Sequence, residues 1–396
     1  MSGLFTAAFL RQIGRVADVY ERSSLELVGR GAGITTHPEL LEALEKSGAG
    51  THDLGVEVSR RITIDREGRV IGERALRQVL TSWDRLQRLL RPTIDPDHYH
   101  LGHTFEAAER NDSGGGGVRV RFAEGRLEEA DLLVGGDGIR SGVRAQVAPE
   151  VQPVYAGYYI WRGAPNEADL APDTLRSIFP YFVFFLPPRQ QLIGYPISGV
   201  DNDLRPGHRR YNFIWYRVGD ADTLRKMCVD QEGQQHEFSV PPPLIRKDLI
   251  AQMRAEAEEI MPAVFLDCLR HIERPFFTPI YDFASPTIVF GRTALVGDAA
   301  SSARPHMGFG VAKAGGDAKA LAQALAEHDD IDAALAQYNA LRQPVGERIV
   351  RHGRLLGTHL GVDLRTEEDR RMWNLLQDHR AMMDWIAVPN FLAASP

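Results

Sequence analysis

Two apolar runs, far apart in the chain, each end on a Gly-Asp pair and then lead into a helix start. The first is Asp131-Leu132-Leu133-Val134-Gly135-Gly136-Asp137-Gly138, with Ser141 and Arg144 close behind. The second is Thr293-Ala294-Leu295-Val296-Gly297-Asp298-Ala299-Ala300, followed by Arg304-Pro305-His306 and Gly308-Phe309-Gly310. A short aliphatic run that stops at glycine reads as a strand buried on both faces of a parallel sheet. Ligands of such sheets collect at the carboxyl ends of the strands, where glycine admits close backbone approach and helix starts present N–H groups. An ordinary glycine-rich turn with an incidental acid is the plainer alternative at each site. The two runs together argue against it.

A third segment agrees with them. Residues 4–13 read as a buried helix stopped at Gly14, feeding a short strand that ends in Glu21-Arg22. Glu21 follows Gly3 by 18 residues. Dinucleotide folds place a glycine where helix meets strand and an acid about 20 residues later, at a strand end, for ribose hydroxyls. Further on, residues 38–46 and 83–90 have helical spacing and 57–80 alternate as a hairpin would. The stretch 99–134 reads as strands joined at the Gly114–Gly117 run.

The region 151–281 differs in character. Its runs 155–161, 181–186, 192–196 and 211–217 are aromatic and β-branched, the composition of a mixed or antiparallel sheet. The order is therefore α/β, then mostly β, then α/β with a helical tail, which describes one domain interrupted by another. We expect the discontinuous α/β domain at 1–56, 82–150 and 285–345. The inserted sheet falls at 57–81 and 151–284, and a helical segment at 346–396.

Composition excludes several classes. With 46 Lys plus Arg against 53 Asp plus Glu, the net charge of −7 leaves no basic field for nucleic acid. No apolar run approaches the ~20 residues of a membrane span. Two cysteines, Cys228 and Cys268, make no disulfide framework, so a cytoplasmic setting is expected. The apolar start lacks the basic residues of a secretory signal.

The Gly136-Asp137-Gly138 and Gly297-Asp298-Ala299-Ala300 motifs, in this order, resemble those of the single-component FAD-dependent aromatic hydroxylases of the para-hydroxybenzoate hydroxylase type. Tyr155-Ala156-Gly157-Tyr158-Tyr159-Ile160-Trp161-Arg162-Gly163, and Arg304-Pro305-His306 ahead of Ala312-Lys313-Ala314, are similar to the dihydroxypyridine-hydroxylating branch. The resemblance covers nearly the whole chain. It implies a Rossmann-like FAD/NAD(P)-binding domain with an inserted mixed β-sheet substrate domain and a C-terminal helical tail.

The resemblance also implies chemistry: NAD(P)H reduces FAD, O2 forms a flavin hydroperoxide, and its terminal oxygen attacks a small hydroxylated aromatic or N-heteroaromatic ring. Ser2 and Gly3 would end the fingerprint, Glu21 with Arg22 beside it would meet the adenosine ribose, and Arg30 with Gly31 the pyrophosphate region. Asp137 would brace the pyrophosphate loop and Asp298 hold the ribityl chain or a nearby phosphate. Gly310, Val311 and Ala312 would turn backbone N–H groups to the flavin pyrimidine edge. His306 and Pro305 would border the substrate, with His306 poised to deprotonate a ring hydroxyl because imidazole titrates near neutrality. A loop histidine bonded only to backbone is the equal alternative. Tyr195 and Tyr155 are weaker pocket candidates on the sheet.

The chain departs from the family at its start, because the first two fingerprint glycines and the first β-strand are not in it. Either it is a remnant unable to hold FAD, or coding sequence continues upstream of Met1. A reductase of isoprenoid-like double bonds is the other enzymatic reading, and a homodimer is left open. His98, His100 and His103 invite a metal reading, but no cysteine or carboxylate partner is evident and no metal is expected. No Trp-x-Trp-x-Ile motif occurs, which argues against a flavin halogenase.

Overall fold

The computed structural model describes residues 1–27, 33–111 and 116–388. Arg30, Gly31 and two glycines of the 114–117 run lie outside the described residues. The opening helix Ser2–Gln12 buries Leu4, Phe5, Ala7, Ala8, Phe9 and Leu10, apolar nearly all round. Such a helix belongs between layers, and it packs on the helix Gly310–Glu327.

The strand Val19–Glu21 pairs in parallel with Tyr99–Leu101. Thr293–Leu295 pairs in parallel with Leu133–Gly135, with Leu295 opposite Gly135. Both Gly-Asp turns therefore leave the carboxyl ends of neighbouring strands. A separate antiparallel sheet is built from Phe105–Asn111, Gly117–Phe122 and Leu127–Ala130.

The aromatic region forms most of a nine-stranded sheet. Its middle runs Val154–Gly163, Arg210–Val218, Gln190–Ile197 and Phe182–Phe185, antiparallel throughout. The strand Val56–Ile64 joins Phe182–Phe185 in parallel and carries Val70–Ser82 as its hairpin partner. Because side chains alternate along a strand, the sheet serves two cores. Tyr158, Ile160, Phe182, Ile193, Tyr195 and Tyr216 face the α/β layer. Tyr159, Trp161, Val183, Leu192, Phe213 and Trp215 face a second core that includes Met253, Ala257, Phe265 and Leu269 of two helices, Lys247–Ile260 and Ala263–Arg270.

The long helix Ile331–Gly357 leads to Glu367–Leu375 and then to His379–Trp385, which lies against the hairpin. Among the described residues no helix is long and apolar enough to cross a membrane, and both cysteines are buried free thiols.

Candidate functional site

Three chain segments meet at the start of the opening helix. Gly297 has φ +60°, and a Cβ there would stand 2.0 Å from Ser2 Oγ, so only glycine fits. A Cβ on Gly136 would come within 3.1 Å of the Gly3 nitrogen. Glu21 and Asp298 are both near enough to act electrostatically on the amino end of the same helix. No side chain caps this helix, nor the helix Gly310–Glu327. Their first N–H groups lack intrahelical partners, the ordinary condition of an anion-binding helix start. Two uncapped helix starts and a cradle of backbone fit the phosphates and the electron-rich ring edge of FAD.

The Gly297 turn is clamped from beneath. Asp317 accepts from the Gly297 N–H at 2.9 Å, while Lys313 Nζ donates to the Gly297 carbonyl at 2.7 Å and to Asp317 at 2.9 Å. Arg342 Nε completes the group at 2.8 Å from Asp317. Burial works to raise the Asp317 pKa, but Lys313 and Arg342 outweigh it and hold the carboxyl below its ordinary value. Asp298 is shifted the other way, raised chiefly by desolvation.

His306 lies in the 3₁₀ turn Pro305–Met307, closed by the Gly308 N–H donating to the Pro305 carbonyl at 2.9 Å. Gly308 is left-handed, φ +63°. The His306 ring stacks on Tyr216 at 4.9 Å and 21°, and its Nε2 is 2.7 Å from the Tyr158 hydroxyl. Behind Tyr158, buried Arg304 pairs with Asp282 at 2.6 Å and Asp363 at 2.8 Å. The expectation of a histidine titrating near neutrality does not hold. Burial, reinforced by His359 and Arg304, takes the His306 pKa well below the usual value, so the ring is neutral. Burial also raises the Tyr158 phenol, which keeps its proton. If that proton is donated to Nε2, Nδ1 carries the ring N–H, and Nδ1 is buried without a partner among the described residues.

The other candidates are distributed around these two centres. Ser2 and Gly3 open the first helix, and Gly310, Val311 and Ala312 the second. Glu21 ends its strand, with one carboxylate oxygen accepting from the Ser23 N–H at 2.9 Å. Arg22 is exposed beside it. Asp137 is exposed and accepts from the Val143 N–H at 3.2 Å, bracing the helix start after its turn. Tyr195 is buried on the same sheet face as Tyr158, whereas Tyr155 donates to the Gly219 carbonyl at 2.9 Å, away from His306. His98 and His100 do find a carboxylate, since both ring nitrogens lie 3.0 Å from the same oxygen of Asp18. Among the described residues, no set of three or more such groups is arranged to hold a metal.

Sequence reasoning assigned no role to Tyr158, Tyr216, Lys313, Asp317 or Arg342. The i,i+4 spacing of Lys313 and Asp317 was the available signal for that pair. The strand alternation that sets Tyr158 apart from Tyr159 was the signal for the aromatic wall.

Comparison with known proteins gives a consistent set. An FAD-binding domain family matches residues 277–353, and an FAD-binding-domain-like family residues 155–282. The chain is 32% identical over 340 residues to 2,6-dihydroxypyridine 3-monooxygenase of Paenarthrobacter nicotinovorans, covering 85% of this chain and 84% of that one. It is 27% identical over 397 residues to 3-amino-4-hydroxybenzoate 2-monooxygenase of Streptomyces cremeus, covering 94% and 89%. The solved structure of 2,6-dihydroxypyridine-3-hydroxylase from Arthrobacter nicotinovorans superposes with a TM-score of 0.84 at 30% identity, covering 91% of this chain and 90% of that chain. Klebsiella pneumoniae HpxO complexed with FAD and uric acid shares the fold, with a TM-score of 0.77 at 21% identity and coverage of 99% and 94%.

Proposed function

The chain belongs to the FAD-binding monooxygenase family, and from that membership we propose that it hydroxylates a small hydroxylated N-heteroaromatic ring, with 2,6-dihydroxypyridine the leading substrate. It is an enzyme that uses FAD, with NAD(P)H and O2 as co-substrates. The observation that carries the substrate reading is the buried, neutral His306, whose Nδ1 has no partner among the described residues and whose other nitrogen is held by Tyr158.

In this reading the segments 1–56, 82–150 and 285–345 supply the cofactor half, and 57–81 with 151–284 the substrate wall. Ser2 and Gly3 would receive the pyrophosphate, Glu21 the adenosine ribose and Asp298 the ribityl chain or a nearby phosphate. The N–H groups of Val311 and Ala312 would meet the pyrimidine edge. Bound FAD would supply the redox chemistry, with NAD(P)H as hydride donor and O2 as oxidant, one oxygen atom going to the ring and the other to water.

The protein's part is orientation, dryness and charge placement. Nδ1–H of His306 donates to the ring hydroxyl oxygen and favours its ionised form, which enriches the ring carbons ortho and para to it. Tyr158 holds the imidazole in the tautomer that can do so, and Tyr216 fixes its plane. Tyr195 and Tyr216 wall off water. A preorganised donor of this kind is worth about 10²–10³ in turnover.

The test is to purify the full chain and ask whether it carries stoichiometric yellow flavin. NAD(P)H oxidation stimulated by 2,6-dihydroxypyridine, but not by para-hydroxybenzoate, is expected. Flavin-loaded protein indifferent to both would overturn the substrate assignment.

A further inference from the structure

Arg61 is the largest cation wholly inside the molecule, fully buried on the strand Val56–Ile64. Among the described residues no carboxylate forms a salt bridge with it; the charge of Asp384, which pairs with Arg74, acts on it from farther off. Desolvation lowers its pKa to about 9, with neighbouring Arg74 adding to the effect, so it remains charged at neutral pH. A buried cation without a carboxylate needs dense compensation from dipoles.

That compensation comes from the far end of the chain. One guanidinium nitrogen donates to the Met383 and Ile386 carbonyls at 3.1 and 2.5 Å, and the other to the Ala387 carbonyl at 3.0 Å and to Gln78 at 2.8 Å. Met383 lies in the last turn of the helix His379–Trp385 and Ile386 and Ala387 follow it directly, a helix end where a cation is favoured.

Two observations tie this contact to His306. Ala387 has φ +54°, a left-handed conformation that is strained for a non-glycine residue and persists only when its surroundings impose it. In that conformation its N–H donates to the His306 carbonyl at 2.8 Å. On the other side of the turn, His37 Nε2 lies 2.9 Å from the Met307 carbonyl. Arg61 also lies over the Phe182 ring at 4.7 Å, and Phe182 stacks on Tyr195 at 5.0 Å.

We propose that Arg61 is a positioning residue that holds segment 379–388 as a strap across the His306 turn, so that the Ala387 N–H fixes where the imidazole stands. The inference rests on the preceding reading only in giving His306 a part in turnover. Its test needs neither substrate nor cofactor turnover.

Two full-length variants are compared with the wild type. Arg61→Met removes the cation at similar volume. Ala387→Pro removes the N–H and demands φ near −65°. Hydrogen exchange reads the strap, and NMR of histidine-labelled protein, assigned with His306→Gln, reads the imidazole. The charged and titratable groups facing His306 are Tyr158, Tyr216, His359 and Arg304, and neither variant alters them.

Exchange across 379–388 is expected to rise about tenfold or more in both variants, with strand 70–82 unchanged. His306, whose pKa burial holds well below the usual value in the wild type, is expected to titrate closer to neutrality in the variants as its turn loosens and hydrates. A freed strap with unchanged His306 titration overturns the positioning role, and an unchanged strap overturns the proposal at its root. Should Arg61→Met fail to fold, Ala387→Pro decides by the same two readings.

Discussion

Replacing Asp317 by asparagine asks whether the Gly297 turn is held by charge or by shape. Asparagine keeps the outline and one acceptor, so the bond from the Gly297 N–H survives. The negative charge between Lys313 Nζ at 2.9 Å and Arg342 Nε at 2.8 Å is lost. Lys313 is 2% exposed, so its ammonium would be left inside with only neutral oxygens as hydrogen-bond acceptors, the Gly297 carbonyl and the asparagine amide. Removing one member of a buried pair costs about 3–5 kcal/mol. Lys313→Met takes away the cation and leaves Asp317 with Arg342 and the Gly297 N–H. Its cost is the two charge-assisted bonds Lys313 makes, about 1.5–3 kcal/mol each, less what methionine regains by burial. In the double variant no ammonium is stranded, so the two losses should fall short of additivity by about 1–3 kcal/mol. Urea unfolding of the four proteins at pH 7, followed by circular dichroism, measures this cycle. Asp317→Asn within about 1 kcal/mol of wild type, or strict additivity, would refute the reasoning. The pH dependence has a definite sign. The folded Asp317 carboxyl lies below its unfolded value of about 3.9, so its contribution is full above that pH and disappears as acid carries it through the lower folded value. The gap between wild type and Asp317→Asn should therefore close only in strong acid.

Two further outcomes follow from the buried rings. Desolvation lowers the pKa of His37 and His352 to about 4, of His359 to about 3, and of His306 well below its ordinary value. In the unfolded chain they protonate near about 6.5, so stability should fall as pH drops below that point, by up to roughly 1.4 kcal/mol per pH unit for each ring. Equal urea midpoints at pH 7 and 5.5 would contradict this. Tyr158→Phe removes the hydroxyl that sets the His306 tautomer at 2.7 Å. Turnover of 2,6-dihydroxypyridine should drop about tenfold, the worth of one such bond, with the flavin content unchanged. A variant with wild-type turnover would show that the pair does not set the tautomer.

Much of the architecture could be read from local pattern. An aliphatic run stopping at Gly297 or Gly135, and a helix apolar on every side at Leu4–Leu10, announce themselves within ten residues. The strand ending at Glu21 was legible for the same reason. What escaped is what depends on partners distant in the chain. Tyr158 and Tyr159 are neighbours of similar type, and only the sheet's packing decides which one meets His306. Arg61 looks like any strand arginine until the carbonyls of 383–387 surround it. Asp18 lies 80 residues from His98, so its carboxylate was invisible beside the histidines. The acid–base state of His306 was misjudged because residue type gives only the ordinary pKa, and burial is a property of the fold.

The two-faced sheet has a consequence for how such an enzyme can change over generations. Adjacent residues of Val154–Gly163 answer to different demands, since Tyr158 and Ile160 face the α/β layer while Tyr159 and Trp161 seat the sheet on its helices. Substitutions on the face toward the α/β layer can therefore accumulate without loosening the foundation one residue away. A lineage drifting from one ring to another would leave its record at even positions of Val154–Gly163 and Arg210–Val218 and at odd positions of Gln190–Ile197. The intervening positions would stay as they are.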